Sequence, residues 1–142
     1  MKLVTYDGGK VGRIDGEEIV RLEIPEMRTY FERGGADDGS ERTALADAHL
    51  EAPIVPKKFF HTAGNFREHE EESKQVDWDH EIAPWIVFFQ NVDALIGQDD
   101  PVIYPEHMTD ELDYELELAV IVRSSCRGRD STLPVSAIGA AG

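Results

Sequence analysis

Two acidic side chains in the second half of the chain have the spacing of a divalent-metal site. Glu115 and Glu117 stand at positions i and i+2 of residues 112–122, where apolar residues alternate with others. On a β-strand such positions point to one side, with Cα atoms roughly 6.5 to 7 Å apart, so both carboxylates can reach one cation. Oxygen ligands favour Mg²⁺, Mn²⁺ or Ca²⁺ over zinc. The alternative is a solvated strand face, although Ala119 and Ile121 on the same side favour a partly covered pocket.

A histidine and a glutamate earlier in the chain have the spacing of a catalytic pair. His69 and Glu72 lie three residues apart and share a face if their segment is helical. A carboxylate beside an imidazole orients the ring and raises its basicity, which suits a general base that takes a proton from water. The alternative is a hydrated acidic turn around an incidental histidine. A zinc-protease motif is excluded because it would need a histidine where the chain has Ser73.

Residues 1–52 are predicted to form a small β-meander and helix module. β-Branched and aromatic residues alternate around two glycine-containing turns, which indicates three short strands. Pro25 opens a short helix for which Gly34 can serve as the carboxyl-terminal cap. We expect a second helix after Ser40.

Residues 53–142 are predicted to form the first part of a larger, second domain. Prolines at the boundary lead into an apolar strand within residues 57–64, and the unbroken apolar run at 85–89 predicts a strand covered on both faces. His61, in the first of these strands, is interpreted as a core or strand-end histidine rather than a ligand. Residues 76–84 are expected to form a loop that closes over a substrate.

The composition excludes several classes of protein. Asp plus Glu number 29 against 14 Lys plus Arg, giving a formal net charge of −15, and such a field repels nucleic acid and anionic lipid. No apolar run is long enough to span a bilayer. The single cysteine, Cys126, cannot form an internal disulfide, which favours the cytoplasm. Acids spread along the whole chain indicate a surface adapted to high salt, so we expect a halophilic source.

Three separated motifs, taken together, resemble the fumarylacetoacetate hydrolase family. They agree with that family in order and spacing, cover about residues 53 to 125, and read KKFFHTAGNFREHEEE, WIVFFQNVDALIGQDDPVIYP and LDYELELAVIV. The resemblance implies an α+β, mostly β fold: the family's mixed β-sandwich roll, preceded by the small amino-terminal module. It also implies a homodimer.

The resemblance assigns roles to the two acidic constellations. The family's Asp-Tyr-Glu-x-Glu strand supplies two metal ligands, which fall on Glu115 and Glu117. Its catalytic dyad falls on His69 and Glu72. The resemblance thus implies a bound Mg²⁺, or Mn²⁺ or Ca²⁺ in its place.

Two substrate-binding positions depart from the family pattern. Phe66 replaces the usual tyrosine, and Gln90 stands where a lysine near the substrate is common. The family's third metal ligand, an aspartate, is expected beyond Gly142. The catalytic domain is therefore expected to be incomplete in this chain.

The implied function is a divalent-metal-dependent hydrolase of a small 2-oxo or β-diketo acid. Cleavage of a C–C bond in an acylpyruvate or fumarylacetoacetate-like substrate, through a metal-bound enolate, is the first expectation and belongs to aromatic catabolism. Hydratase, decarboxylase and isomerase reactions of a 2-oxo acid use the same enolate chemistry and stay open as alternatives. A non-catalytic metal-binding module is a further alternative, because two carboxylates and solvent make a weak site.

Overall fold

The computed structural model describes residues 1–63, 71, 86–122 and 135–136. The chain divides into two compact units, which are described separately below. One consists of Met1–Ile54 and Ile96–Gly142, and the other of Val55–Leu95. The boundary expected between residues 52 and 53 stays a prediction.

An antiparallel five-stranded sheet dominates the amino-terminal part of the first unit. Its strands are β1 (Lys2–Tyr6), β2 (Lys10–Asp15), β3 (Glu18–Leu22), β4 (Asp38–Ala44) and β5 (Leu50–Glu51). They lie in the order β4-β3-β2-β1-β5. The first three strands confirm the predicted meander, and each pairs antiparallel with the next.

The turn between β1 and β2 requires left-handed backbone conformations. Gly8 and Gly9 adopt φ angles of 82° and 88°, values that residues with a Cβ atom rarely adopt. The glycines at this point of the sequence therefore fix the register in which the first two strands pair.

A helix packs on one face of this sheet. Helix α1 spans Met27–Arg33 and ends at Gly34, whose φ of 80° and N–H donation to the Tyr30 carbonyl confirm the predicted cap. The core of this face consists of buried side chains from β2, β3, the helix and the segment that joins β3 to the helix. The buried residues are Val11, Leu22, Ile24 and Met27, and partly buried neighbours pack around them: Leu3, Tyr30, Phe31, Ala36 and Ile54. No described helix is long and apolar enough to cross a membrane.

The prediction of a second helix after Ser40 is wrong. Residues 38–44 form strand β4 instead, which is followed by a 3₁₀ turn at Leu45–Asp47. Strand β4 bonds to the free edge of β3, with Val20 opposite Arg42 and a bulge between Val20 and Leu22. Pairing with an open sheet edge has overridden the local helix propensity of the segment.

The second unit contains a two-stranded antiparallel ribbon. Strand β6 (Phe59–Thr62) pairs with β7 (Val87–Gln90), and a 3₁₀ turn at Val92–Ala94 follows. Both strands were predicted. The expectation that the second strand is covered on both faces is wrong for the described residues, because all four of its side chains are exposed.

A second two-stranded pairing joins β8 (Ile121–Val122) to β9 (Val135–Ser136). The strand predicted over residues 112–122 is regular only at its end, in β8, with an isolated β-bridge at Glu117. A β-strand forms only where a neighbouring strand pairs with it through backbone hydrogen bonds. Alternation of residue types does not show whether such a neighbour is present.

Candidate functional site

Glu115 and Glu117 lie in an exposed segment that has no regular secondary structure apart from the bridge at Glu117. Both side chains face solvent, and the neighbouring Tyr114 and Leu116 are 92% and 77% exposed. Ala119, expected to help cover a pocket, is exposed as well. In the described part of the chain, the glutamates therefore lie on an open surface and not in a partly covered pocket.

The donor set fits a hard cation but is small. Glu115 and Glu117 offer carboxylate oxygens, the ligands that Mg²⁺ and Ca²⁺ prefer, and neither forms a salt bridge with another described residue. Among the described residues, no three His, Cys, Asp or Glu side chains come close enough together to hold a metal ion. Two carboxylates alone make a weak site.

Gln90 ends strand β7 and is exposed. It lies directly opposite Phe59, while His61 lies opposite Phe88. Opposite residues of an antiparallel pair share a face, as do alternate residues of each strand. One face of the ribbon therefore carries Gln90 together with His61 and the rings of Phe59 and Phe88.

His61 has a feature that the sequence interpretation missed. The side chain is half-buried, as a strand histidine would be, but its Nε2 atom is enclosed and has no hydrogen-bond partner among the described residues. The imidazole lies 4.6 Å from the Phe59 ring and 5.5 Å from the Phe88 ring, measured between centroids. The only available signal was the polar position in an otherwise aromatic strand; the pairing with β7 was not visible in the sequence.

Three predicted site residues fall outside the described residues. They are the proposed dyad, His69 and Glu72, and the substrate-binding position Phe66. The predicted loop at 76–84 and Cys126 lie outside them as well. Their assignments stay predictions.

Ion pairs of the amino-terminal sheet shift the pKa values of their members. Hydrogen bonding to Arg13 lowers the pKa of the Asp38 carboxyl, and the same contact raises the pKa of the guanidinium. Hydrogen bonding to Glu41 raises the pKa of Lys10. These are exposed ion pairs that join strands, and nothing in them indicates catalysis.

Comparison with known proteins identifies relatives of this chain. It is 28% identical over 145 residues to the fumarylacetoacetate hydrolase domain-containing protein 2 homolog of Dictyostelium discoideum, an alignment that covers 86% of this chain and 46% of the relative. It is 34% identical over 95 residues to an uncharacterized protein of Archaeoglobus fulgidus, covering 67% of this chain and 36% of the relative. The chain thus spans less than half the length of these relatives. No solved structure matches it significantly.

A family model agrees with these relatives. The model described as fumarylacetoacetate (FAA) hydrolase C-terminal matches residues 58–137, a range that overlaps the three motifs noted in the sequence. The match contains both glutamates and Gln90 and covers more than half of the chain. The chain therefore belongs to the fumarylacetoacetate hydrolase family.

Proposed function

We propose that this chain carries part of a divalent-metal-dependent hydrolase that cleaves a C–C bond in a small 2-oxo or β-diketo acid, such as an acylpyruvate. The family match over residues 58–137 is the observation that carries the proposal. Membership supports an enzyme of metal-dependent hydrolase or hydratase type in general. The exposed pair of glutamates inside the matched range supports oxygen ligation of a cation such as Mg²⁺.

Each residue has a proposed part in the reaction. Glu115 and Glu117 hold the cation, which when bound supplies Lewis-acid polarisation of the substrate's 2-oxo group. His69, oriented by Glu72, takes a proton from water so that the oxygen can attack the distal carbonyl. Gln90 binds the substrate and offers both a donor and an acceptor where a lysine would offer charge.

Further parts of the proposal concern the setting of the enzyme. We place it in the cytoplasm, as a homodimer that acts in aromatic catabolism. The family resemblance supports the dimer and the pathway class, and the single cysteine supports a reducing compartment. Size-exclusion chromatography with light scattering tests the dimer directly.

A metal titration with charge-neutral variants tests the glutamates. Isothermal titration with Mg²⁺ on the chain should show that Glu115→Gln or Glu117→Gln weakens binding at least about tenfold, which corresponds to about 1.4 kcal/mol. Glu106→Gln is the matched control, since this exposed glutamate lies outside the alternating segment. Equal Mg²⁺ affinity in all four proteins would show that the glutamates are not ligands.

A non-catalytic metal-binding module is the second candidate. The observation in its favour is that the described residues bring no third ligand to the two glutamates. Acylpyruvate turnover together with micromolar Mg²⁺ binding supports the enzyme. Millimolar Mg²⁺ binding without turnover supports the module.

A further inference from the structure

We propose that His61 is a substrate-binding residue, whose imidazole acts with the Gln90 amide to hold an oxygen of the small acid. This inference rests on the proposed function, and it adds a residue that the family resemblance does not assign. It concerns only the β6–β7 ribbon, within one compact unit.

The pairing of β6 with β7 places the two polar groups on one face. His61 opposes Phe88 and Gln90 opposes Phe59, so His61 and Gln90 are diagonal neighbours. Such neighbours lie roughly 7 to 8 Å apart. A single carboxylate or 2-oxo group can therefore take a hydrogen bond from each of them.

The two faces of the ribbon differ in burial. On the His61 face, Phe59 and His61 are half-buried, whereas on the other face Phe60 and Phe89 are 49% and 72% exposed. Gln90 and Phe88, on the His61 face, are exposed, but His61 itself lies in more enclosed surroundings. Hydrogen bonds are stronger in such surroundings than in open water.

The Nε2 atom of His61 supplies the second, independent observation. It is enclosed without a hydrogen-bond partner among the described residues, and leaving such a group unpaired is costly. A residue that served only to pack between two phenylalanine rings would not need this nitrogen. A substrate oxygen would satisfy it.

Access to Nε2 requires movement of groups around the imidazole, and one neighbouring side chain is exposed. The ring stacked on the imidazole, at an interplanar angle of 24°, belongs to Phe88, and Phe88 is 45% exposed. Exposed side chains change rotamer within nanoseconds. Rotation of Phe88 would expose the side of the imidazole on which its ring is stacked.

The experiment compares three variants of the chain in turnover of acylpyruvate and in binding of oxalate. His61→Phe keeps the aromatic stack but removes both nitrogens, so it should raise KM and the oxalate Kd at least about tenfold while kcat stays within about twofold. His61→Asn keeps a hydrogen-bonding group and should recover part of the affinity. Thr62→Val, on the opposite face of the same strand, is the control and should match the unaltered chain.

A direct measurement separates failure of this inference from failure of the proposed function. In the unaltered chain, the ring-proton NMR signals of His61 should shift on addition of oxalate, and this readout requires neither turnover nor a stable variant. Turnover with unchanged KM and oxalate Kd in His61→Phe would overturn the role of His61 and leave the proposed function standing. Absence of any oxalate-induced shift in a chain that binds Mg²⁺ would overturn the role of His61, and absence of Mg²⁺ binding as well would overturn the proposed function too.

Discussion

At the scale of single residues, Arg13 and Asp38 form an ion pair with two parallel hydrogen bonds. Arg13 Nε donates to Asp38 Oδ1 at 3.0 Å and Nη2 donates to Oδ2 at 2.7 Å, while Nη1 reaches Asp15 at 3.0 Å. The guanidinium on β2 thereby joins β4 across the intervening strand β3. Because the pair is exposed, its contribution to stability is modest and sensitive to salt.

Replacing Asp38 should give a pH-dependent loss of stability. The folded-state pKa of Asp38 is lowered from 3.8 by its hydrogen bonds with Arg13. The stabilisation is therefore present above the unfolded-state pKa and is lost as the pH falls through the folded-state value. Asp38→Asn should lower the Tm at neutral pH, and the difference from the unaltered chain should vanish in strong acid. Asp37→Asn is the control; an equal loss in both variants, or a loss independent of pH, would contradict this account.

For Tyr6 we predict that a substitution does not reduce the stability of the fold. Its side chain is buried on the sheet, yet its hydroxyl has no hydrogen-bond partner among the described residues. Burial of an unpaired hydroxyl costs free energy, so Tyr6→Phe should leave the free energy of unfolding unchanged or raise it by up to about 1 kcal/mol. Urea unfolding measures this, with the 92% exposed Tyr114 changed to Phe as the control. A clear destabilisation by Tyr6→Phe would show that the hydroxyl is bonded, for instance to an ordered water.

At the scale of elements, the fit between β1, β2 and β3 depends on a missing side chain. Gly12 lies opposite Val4 on one side and Arg21 on the other. A Cβ atom there would overlap Ile19 Cγ2 and would lie 3.0 Å from the Val20 carbonyl oxygen and 3.1 Å from Tyr6 Cε1. The glycine therefore lets two large buried side chains meet over the middle strand.

Adding a methyl group at Gly12 should cost stability. Gly12→Ala should lower the free energy of unfolding by about 1 to 3 kcal/mol, the usual cost of overpacking a core. Gly39→Ala is the matched control, because the nearest atom there is the flexible end of the Glu23 side chain, at 2.5 Å. Chemical denaturation of both variants decides the matter; equal losses would mean that the cost comes from the strand backbone and not from Tyr6 and Ile19.

The sequence predicted those elements whose signals are local. The meander is indicated by its turn glycines and alternating apolar residues, and the end of α1 by Gly34. Each of these signals determines the structure of residues only a few positions away, and the structure confirms both predictions. Strand β4 was missed because its sequence, DGSERTA, has no apolar alternation. It is a strand because β3 offers it an open edge, and a neighbour of that kind is invisible to a local pattern.

The same limit applies to the candidate site. The alternation around Glu115 and Glu117 predicted which residues share a side of the segment. Their exposure depends on other parts of the protein that pack over that side, and none of the described residues does so. His61 was assigned to packing because nothing in its neighbourhood along the chain shows that Gln90 shares its face. Residue types and spacing thus predicted candidate ligands, whereas contacts across strands required the structure.

At the scale of the whole molecule, the main feature is the large excess of acidic residues. The formal net charge is −15, and the ion pairs of the described part, such as Lys10 with Glu41 at 2.6 Å, engage only a few of the acids. Salt weakens both the favourable pairs and the general repulsion, but the excess of acids makes repulsion the larger quantity. Compaction should therefore become more favourable as salt is added.

Thermal unfolding in KCl tests this balance and the expected halophilic character. The Tm should rise steadily from low to multimolar KCl. A variant in which three exposed acids are neutralised, Glu106→Gln, Asp110→Asn and Glu111→Gln, should be less dependent on salt because it carries less repulsion. A Tm that is constant or falls with KCl would contradict a surface adapted to high salt.

The position of β5 has a consequence for how the chain is made. β1, β2 and β3 are neighbours in sequence, so they can pair as soon as they leave the ribosome. The other edge of β1 pairs with β5, in which Leu50 lies opposite Tyr6 and Glu51 opposite Thr5. This pairing can form only after more than forty further residues have been synthesised. Until then the nascent polypeptide presents an open strand to its neighbours. During synthesis this edge of β1 therefore stays unpaired for longer than the edge that β1 shares with β2.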